Sequence, residues 1–300
     1  MNDSIIGILG PTASGKTKLA AELAYELDAE IISMDSRQVY KELNLGVGKD
    51  LSEYEVKGKS IPYHLIDRLS LNEQYHLHQF KLDFQDAYTS IRNKNKISIA
   101  CGGTGLYFDV LLNHRPYTQV PIDVDLRNRL DLLSSEELIQ KLMLIDPNHA
   151  FDTSTRKRLI RAIEIANSIN YFELKNATSS NYKIRLYGIQ IDKKKLNEKI
   201  DQRLNVRMNE GLIEEVESLL KMGFSIDRLM YLGLEYKFVS MYLNGAFDKN
   251  EMFEKLRVAI HQYAKRQMTF FRKLEKDGHE IQWGTTSELK EYILKVYRQA

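Results

Sequence analysis

A parallel α/β core interrupted by an all-helical insertion is the fold class this sequence predicts, and three observations predict it. Over the first 110 residues, strand-like apolar runs alternate with helical periodicity, the pattern of a parallel sheet joined by crossover helices. At Pro116-Tyr-Thr-Gln-Val-Pro121 the character changes, and only helical signals follow for about 65 residues. Strand character then returns at Arg185-Leu-Tyr-Gly-Ile-Gln-Ile191. The core is therefore expected over 1–116 and 183–300, and the helical insertion over 117–182.

Ile5 to Leu9 reads as the first strand. Lys16 to Leu27 reads as the helix after it, because Leu19, Ala20, Leu23, Ala24 and Leu27 fall on one face. Glu30 to Met34 is a second strand, Tyr63 to Ile66 a short one, Gln79 to Arg92 a helix, and Ile97 to Cys101 a buried strand. Gly102 and Gly103 then turn the chain into a helix beginning near Thr104. In the insertion, Ser134-Ser-Glu-Glu137 offers a capping box, in which serine accepts from an early N–H and glutamate reaches back. A further helix runs from about Thr155 to Ser168, and Asn176 to Asn181 is loop-like. The remainder reads as helical, with one long periodic segment from about Glu251 to Lys276.

Composition narrows the class. With 43% hydrophobic and 28% charged residues, the chain excludes fibrous and disordered readings. A single cysteine, Cys101, makes no intramolecular disulfide, and the short apolar run near the N-terminus does not read as a signal, so a reducing cytoplasm is the expected compartment. No apolar run approaches the roughly 18 residues of a membrane span, so no membrane partner is expected. The net charge of +2 conceals an asymmetry: 16 basic against 21 acidic residues in the first half, 27 against 20 in the second. The basic second half points weakly to a polyanion.

Gly10-Pro11-Thr12-Ala13-Ser14-Gly15-Lys16-Thr17 fits G-x-x-x-x-G-K-[ST] between a predicted strand and a predicted helix, the context in which the pattern is meaningful. Backbone N–H groups and the helix dipole favour phosphate oxygens there, Lys16 adds a point charge, and Thr17 would be a Mg2+ ligand. The core is therefore expected to be P-loop NTPase-like. The loop alone does not name a reaction. The strand ending in Gly102-Gly103 lacks the terminal aspartate usual in nucleotide hydrolases, and the nearest strand-end acid is Asp35. Asp35 reads equally as a magnesium ligand, a general base or a cap for the next turn.

Several segments in order resemble the tRNA dimethylallyltransferases: the phosphate loop, Asp35-Ser-Arg-Gln-Val-Tyr40, Gly102-Gly-Thr-Gly-Leu-Tyr-Phe108, Arg158-Leu-Ile-Arg-Ala-Ile-Glu164, Asp201-Gln-Arg203, Gly211-Leu-Ile-Glu-Glu-Val216 and Ala264-Lys-Arg-Gln267. The resemblance implies transfer of a dimethylallyl group from dimethylallyl diphosphate to N6 of the adenosine beside the anticodon, with the loop holding the diphosphate. It implies Asp35 as the base for N6. Thr12 is implied as donor to the leaving oxygen, with loop packing as the plainer reading, and Arg203 as a diphosphate ligand, with a surface salt bridge as the plainer one. Mg2+ is the implied cofactor, and a monomer the expected state. The same loop also serves nucleotide binding, ATP included, in the kinases that supply one rival reading. A nucleotide-gated RNA-binding module supplies another.

The implied tRNA contacts are Asp35, Ser36, Arg37, Gln38, Thr104 and Arg127, the insertion segment Lys157, Arg158, Leu159, Ile160 and Arg161, and the segment Met230, Tyr231, Leu232, Gly233, Leu234 and Glu235. The target base must leave its stack, and the Gln38 amide suits an adenine edge. Lys157, Arg158 and Arg161 lie close together on a helix, so they form either one phosphate track or a solvated basic face. The RNA is expected to pass between core and insertion. Tyr263, Phe270 and Phe271, at helical spacing, read as core. His261, where relatives carry arginine, and Arg37, where an apolar residue is common, depart from the family pattern and bear on RNA preference. The Gly46-Val-Gly-Lys49 segment follows that pattern only loosely. His64, His76, His78 and Cys101 lack zinc-like spacing.

Overall fold

The computed structural model describes residues 4–113, 115–168, 171, 173 and 182–298. The chain divides into two compact units, Met1–Leu112 with Tyr182–Ala300, and Asn113–Asn181. The divisions thus fall after 112 and 181, against 116 and 182 in the sequence reading. The loop-like stretch 176–181 lies outside the described residues.

The strands in chain order are β1 (Ile5–Leu9), β2 (Glu30–Ser33), β3 (Glu55–Val56), β4 (Lys59–Ser60), β5 (Tyr63–His64), β6 (Ser98–Gly102), β7 (Ile184–Ile189) and β8 (Ile281–Gly284). Six of them form one sheet in the order β5-β2-β6-β1-β7-β8, with every pairing parallel. The helices, among the described residues, are α1 (Lys16–Leu27), α2 (Leu77–Asn93), α3 (Gly105–Leu112), α4 (Val124–Leu130), α5 (Ser135–Ile145), α6 (Arg156–Ala166), α7 (Lys193–Asn209), α8 (Leu212–Lys221), α9 (Ile226–Met230), α10 (Leu234–Leu243), α11 (Lys249–Lys276) and α12 (Thr286–Arg298).

Side chains alternate across β1, and both faces are covered, which is why its sequence reads as one apolar run. Ile6 and Ile8 face Leu19 and Leu23 of α1 and Leu289 and Ile293 of α12. Ile5 and Leu9 face the other layer, where Phe80, Phe84, Phe108 and Phe271 come from α2, α3 and α11. A third apolar cluster joins α7 to α11 through Leu204, Val216, Leu229, Tyr236 and Leu256. The smaller unit has its own core of Leu130, Leu138, Leu142, Leu159, Ile163 and Tyr171, and α5 begins at the capping box of Ser134 and Glu137.

Two elements differ from the sequence reading. Residues 281–284 form a strand within a region read as helical. Four residues are too few to show periodicity, and the strand is specified by packing: the Trp283 ring occupies the space where a Cβ on Gly188 of β7 would stand. The β3–β4 hairpin also carried no pattern. Its turn rests on Lys57 and Gly58, both at positive φ, 50° and 76°.

Candidate active site

At the carboxyl edge of the sheet, β1 leads into the glycine-rich loop and α1 begins at Lys16. Ala13 (φ 60°) and Gly15 (φ 89°) are left-handed, which curls the loop into a concave turn. Gly10 packs tightly, since a Cβ there would lie 3.0 Å from Ser14 Oγ. Not every N–H of the loop is available to an anion: Ser14 N–H donates to Pro11 O at 3.3 Å, and Thr12 N–H donates to Gln267 Oε1 at 2.8 Å. Those of Lys16 and Thr17, at the helix start, have no acceptor within the helix. Ser14 Oγ is buried without a hydrogen-bond partner among the described residues. Lys16 folds back to donate to Pro11 O at 2.7 Å, and burial pushes its pKa down to about 8.

Asp35 follows β2 by two residues. Its Oδ1 accepts from Arg37 N–H at 2.8 Å and weakly from Gln38 N–H at 3.4 Å. The capping alternative is therefore realised by one oxygen, while Oδ2 has no hydrogen-bond partner among the described residues. The Gln38 amide is already part of the scaffold, accepting from Ser33 Oγ at 2.9 Å and donating to Gly48 O at 2.9 Å. One N–H and one lone pair remain for a base.

Gly48, at φ 58°, belongs to the Gly46–Lys49 segment, to which the sequence assigns no role. A Cβ there would overlap the guanidinium groups of Arg203 and Arg207. Its segment is fixed from α8, where the Glu215 carboxylate accepts from Asn44 N–H at 2.9 Å and Leu45 N–H at 2.7 Å. Arg203 reaches Thr12 Oγ1 at 3.4 Å and pairs with Asp50. An oxygen that accepts from Arg203 keeps its own proton to donate elsewhere.

These parts line one cleft of about 470 Å³. Its floor is Thr12, Lys16 and Thr17; one wall is Asp35, Ser36, Arg37 and Gln38; the other is Arg203, Arg207 and the run Met230 to Glu235. Gly10, Pro11, Ala13, Ser14 and Gly15 shape the loop without lining the cleft. Cys101 also lines it, but burial pushes its thiol up to about 12, so it is an inert wall. Leu232, in the link between α9 and α10, is only 1% exposed and packs into the third apolar cluster rather than offering a free contact surface. Tyr263 corrects the core reading of the C-terminal aromatics: Phe271 is fully buried, whereas Tyr263 is 37% exposed and lines the cleft. Glycine spacing and helical periodicity alone gave no sign of Arg207 and no site role for Gly48 or Tyr263.

Other implied contacts, and the departing residue His261, are placed elsewhere. Thr104 is half-buried, donates its N–H to Met34 O at 3.2 Å and does not line the cleft. His261 binds Asp201 at 2.8 Å, holding α11 to α7, and is likewise absent from the cleft. In the smaller unit, Leu159 and Ile160 are core, 3% and 6% exposed. Arg127 forks onto Glu164 at 3.0 and 2.8 Å, and Arg161 pairs with the same carboxylate and with Val120 O at 2.6 Å. Arg158 holds Asp152 at 2.7 Å, while Lys157 is exposed. Of the three cations read as either a phosphate track or a solvated face, Arg161 is engaged by Glu164, because a buried carboxylate requires partners, while Arg158 and Lys157 stay exposed.

Burial raises the Glu164 pKa, but hydrogen bonds from Arg127 and Arg161 and from Asp123 N–H outweigh it and hold the carboxyl below its ordinary range. Replacing Glu164 by glutamine should destabilise the insertion by about 3 kcal/mol. A depressed carboxyl contributes stability above its unfolded pKa and loses it as pH falls through the folded one. The mutant's unfolding midpoint should therefore depend less on pH below the ordinary carboxylate range; an unchanged acid limb would show that Glu164 carries no such role.

A phosphate loop, a carboxylate at the next strand end and an arginine pair, gathered in one cleft of a parallel α/β sheet, define a P-loop-type enzyme that handles a phosphorylated substrate. A family profile described as IPP transferase matches residues 38–274. The chain is 45% identical over 283 residues, 93% of its length and 92% of the relative's, to tRNA dimethylallyltransferase 1 of Azobacteroides pseudotrichonymphae. It is 46% identical over 280 residues, with 93% and 91% covered, to tRNA dimethylallyltransferase 2 of Phocaeicola vulgatus. Its structure is similar to that of the full-length tRNA isopentenylpyrophosphate transferase from Bacillus halodurans, with a TM-score of 0.72, 28% identity, and 99% and 98% of the two chains covered. The chain belongs to the IPP transferase family.

Proposed function

We propose that this cleft transfers a dimethylallyl group from dimethylallyl diphosphate to N6 of the adenosine beside the anticodon of tRNA. The observation that carries the reading is the placement of one free Asp35 oxygen in the same cleft as Lys16, Thr12 and Arg203. The N6 lone pair is delocalised into the ring, so the amine must be oriented and relieved of a proton as the N6–C1 bond forms. Asp35 Oδ2 takes that proton, while Oδ1 stays tied to the turn. As the C1–O bond breaks, charge grows on the diphosphate, where Lys16, Arg203 and the loop N–H groups strengthen their hold. The Thr12 hydroxyl donates to the departing oxygen. No γ-phosphate is attacked by water, which accounts for glycine rather than aspartate at the end of β6.

Among the described residues no group of three His, Cys, Asp or Glu side chains is arranged to hold a metal ion. Mg2+ binds through one or two protein oxygens together with substrate phosphates and water, so a single hydroxyl beside the phosphate loop fits it. The Thr17 hydroxyl lines the cleft and would hold it, with Mg2+ adding positive charge against the diphosphate.

The test is incubation with labelled dimethylallyl diphosphate, Mg2+ and an anticodon stem-loop, followed by digestion to nucleosides. Label on adenosine supports the reading; no transfer, with ATP turnover on a small acceptor, sinks it. Lys16 adds a pH signature. Its folded pKa is lowered to about 8, so its charge is present below that pH and lost above it. Affinity for dimethylallyl diphosphate should therefore fall as pH rises from 7.5 to 9.5, approaching tenfold per unit at the steepest, with Lys16→Arg flattening the profile. A wild-type affinity level across that range would contradict this role.

A further inference from the structure

We infer that Arg207 is a second guanidinium for the diphosphate, its free edge forming a fork for the terminal phosphate next to the Arg203 site. This rests on the prenyl-transfer reading of the same cleft. Arg207 lies one helical turn after Arg203 on α7, and its side chain is 9% exposed. Only Nη1 is hydrogen bonded, to Glu235 Oε1 at 3.3 Å. Nε and Nη2 are buried with no hydrogen-bond partner among the described residues, although the residue lines the cleft. Those two donors form the edge of a guanidinium that meets a phosphate with two parallel bonds.

The surroundings favour an anion over a solely structural role. Both arginines crowd over Gly48, where any side chain would collide with them. Arg203 pairs with Asp50 and Arg207 with Glu235, while Asp50 lies 3.8 Å from Arg207 Nη2, too long for a hydrogen bond. The charges are thus matched in number, and what stays unmet is the Nε–Nη2 edge of Arg207. A buried donor left unmade is costly, so the arrangement is explained if a ligand completes it. The occupant is the diphosphate rather than an RNA backbone phosphate, because Arg203 touches Thr12 on the phosphate loop and the Arg207 side chain is nine-tenths buried.

The experiment compares wild type, Arg207→Met, Arg207→Lys and Asp50→Asn by calorimetric titration with inorganic pyrophosphate and by steady-state transfer kinetics. Arg207→Met should weaken pyrophosphate binding and raise KM for dimethylallyl diphosphate by about tenfold to a hundredfold, more than it changes KM for the stem-loop. Arg207→Lys, which keeps the charge but loses the fork, should fall between. Asp50→Asn should tighten pyrophosphate binding several-fold, an effect of opposite sign that a scaffolding role would not produce. Unchanged pyrophosphate affinity in folded Arg207→Met, or a change confined to KM for the stem-loop, would overturn the inference while leaving prenyl transfer standing. Pyrophosphate binding that depends on Arg207 in a wild type that transfers no prenyl group would support the anion site and remove the reading of the reaction.

Discussion

Replacing Asp35 by asparagine should lower prenyl transfer by roughly two to four orders of magnitude, the usual contribution of a positioned general base. The substitution is close to isosteric, and the amide oxygen still accepts from Arg37 N–H, so the turn that carries Ser36, Arg37 and Gln38 keeps its shape. What is lost is the second oxygen's capacity to take a proton. Affinity for dimethylallyl diphosphate should stay within about twofold, because Lys16, Thr12 and Arg203 are untouched. Single-turnover rates with saturating stem-loop, set beside calorimetric binding of the diphosphate, separate the two effects. Near-normal turnover would remove Asp35 as the base and leave it only the capping role that its Oδ1 already performs.

The contrast between Asp35 and Arg207 shows how much of the site was legible before the fold was known. Asp35 stands at the end of an apolar strand, where open parallel sheets bind ligands; its position marked it out, and the family resemblance singled out the base among three equal readings. The phosphate loop was legible for a similar reason: strand, glycines, lysine and helix are contiguous. Arg207 carried no such signal, since an arginine in a charged helix is ordinarily solvated. Its burial depends on Gly48 and Glu235, remote in sequence and brought together only by the packing of α7 against α10 and the segment held by Glu215. Arg161 shows the same limit from the other side. Its spacing from Lys157 and Arg158 left a phosphate track and a solvated face both open, and only the fold shows that Glu164, three residues on, is buried and shared between Arg161 and Arg127. Helical spacing gives which side chains are neighbours; it does not give which of them has water beside it. The short strand β8 escaped notice because its register is set by β7 and by the room that Gly188 leaves for Trp283.

Substituting alanine for Gly102 should be severely damaging, and Gly103→Ala, one residue on, should be markedly milder. At Gly102 the new Cβ would overlap the Met34 carbonyl oxygen and stand 2.5 Å from its carbon. Both are backbone atoms of the chain immediately before Asp35, and Met34 is tied by its N–H to Cys101 O at 2.8 Å and by its oxygen to Thr104 N–H at 3.2 Å. Relief therefore requires β2 and β6 to separate at the edge where the carboxylate is held. Overpacking of this kind costs about 1–3 kcal/mol, and more where backbone must move. Displacing a catalytic group by about 1 Å costs on the order of a hundredfold in rate. At Gly103 the Cβ overlaps only Gln267 Nε2, the end of a side chain that can turn away. That change gives up the bond from Gln267 to Gly103 O and loosens the one to Thr12 N–H, so it should act on diphosphate KM and cost about 1–2 kcal/mol of stability, without moving backbone. Melting temperature and the split between kcat and KM, measured on both variants, distinguish the two sites. Equal stability losses would mean that the Met34 carbonyl yields more easily than its two hydrogen bonds imply.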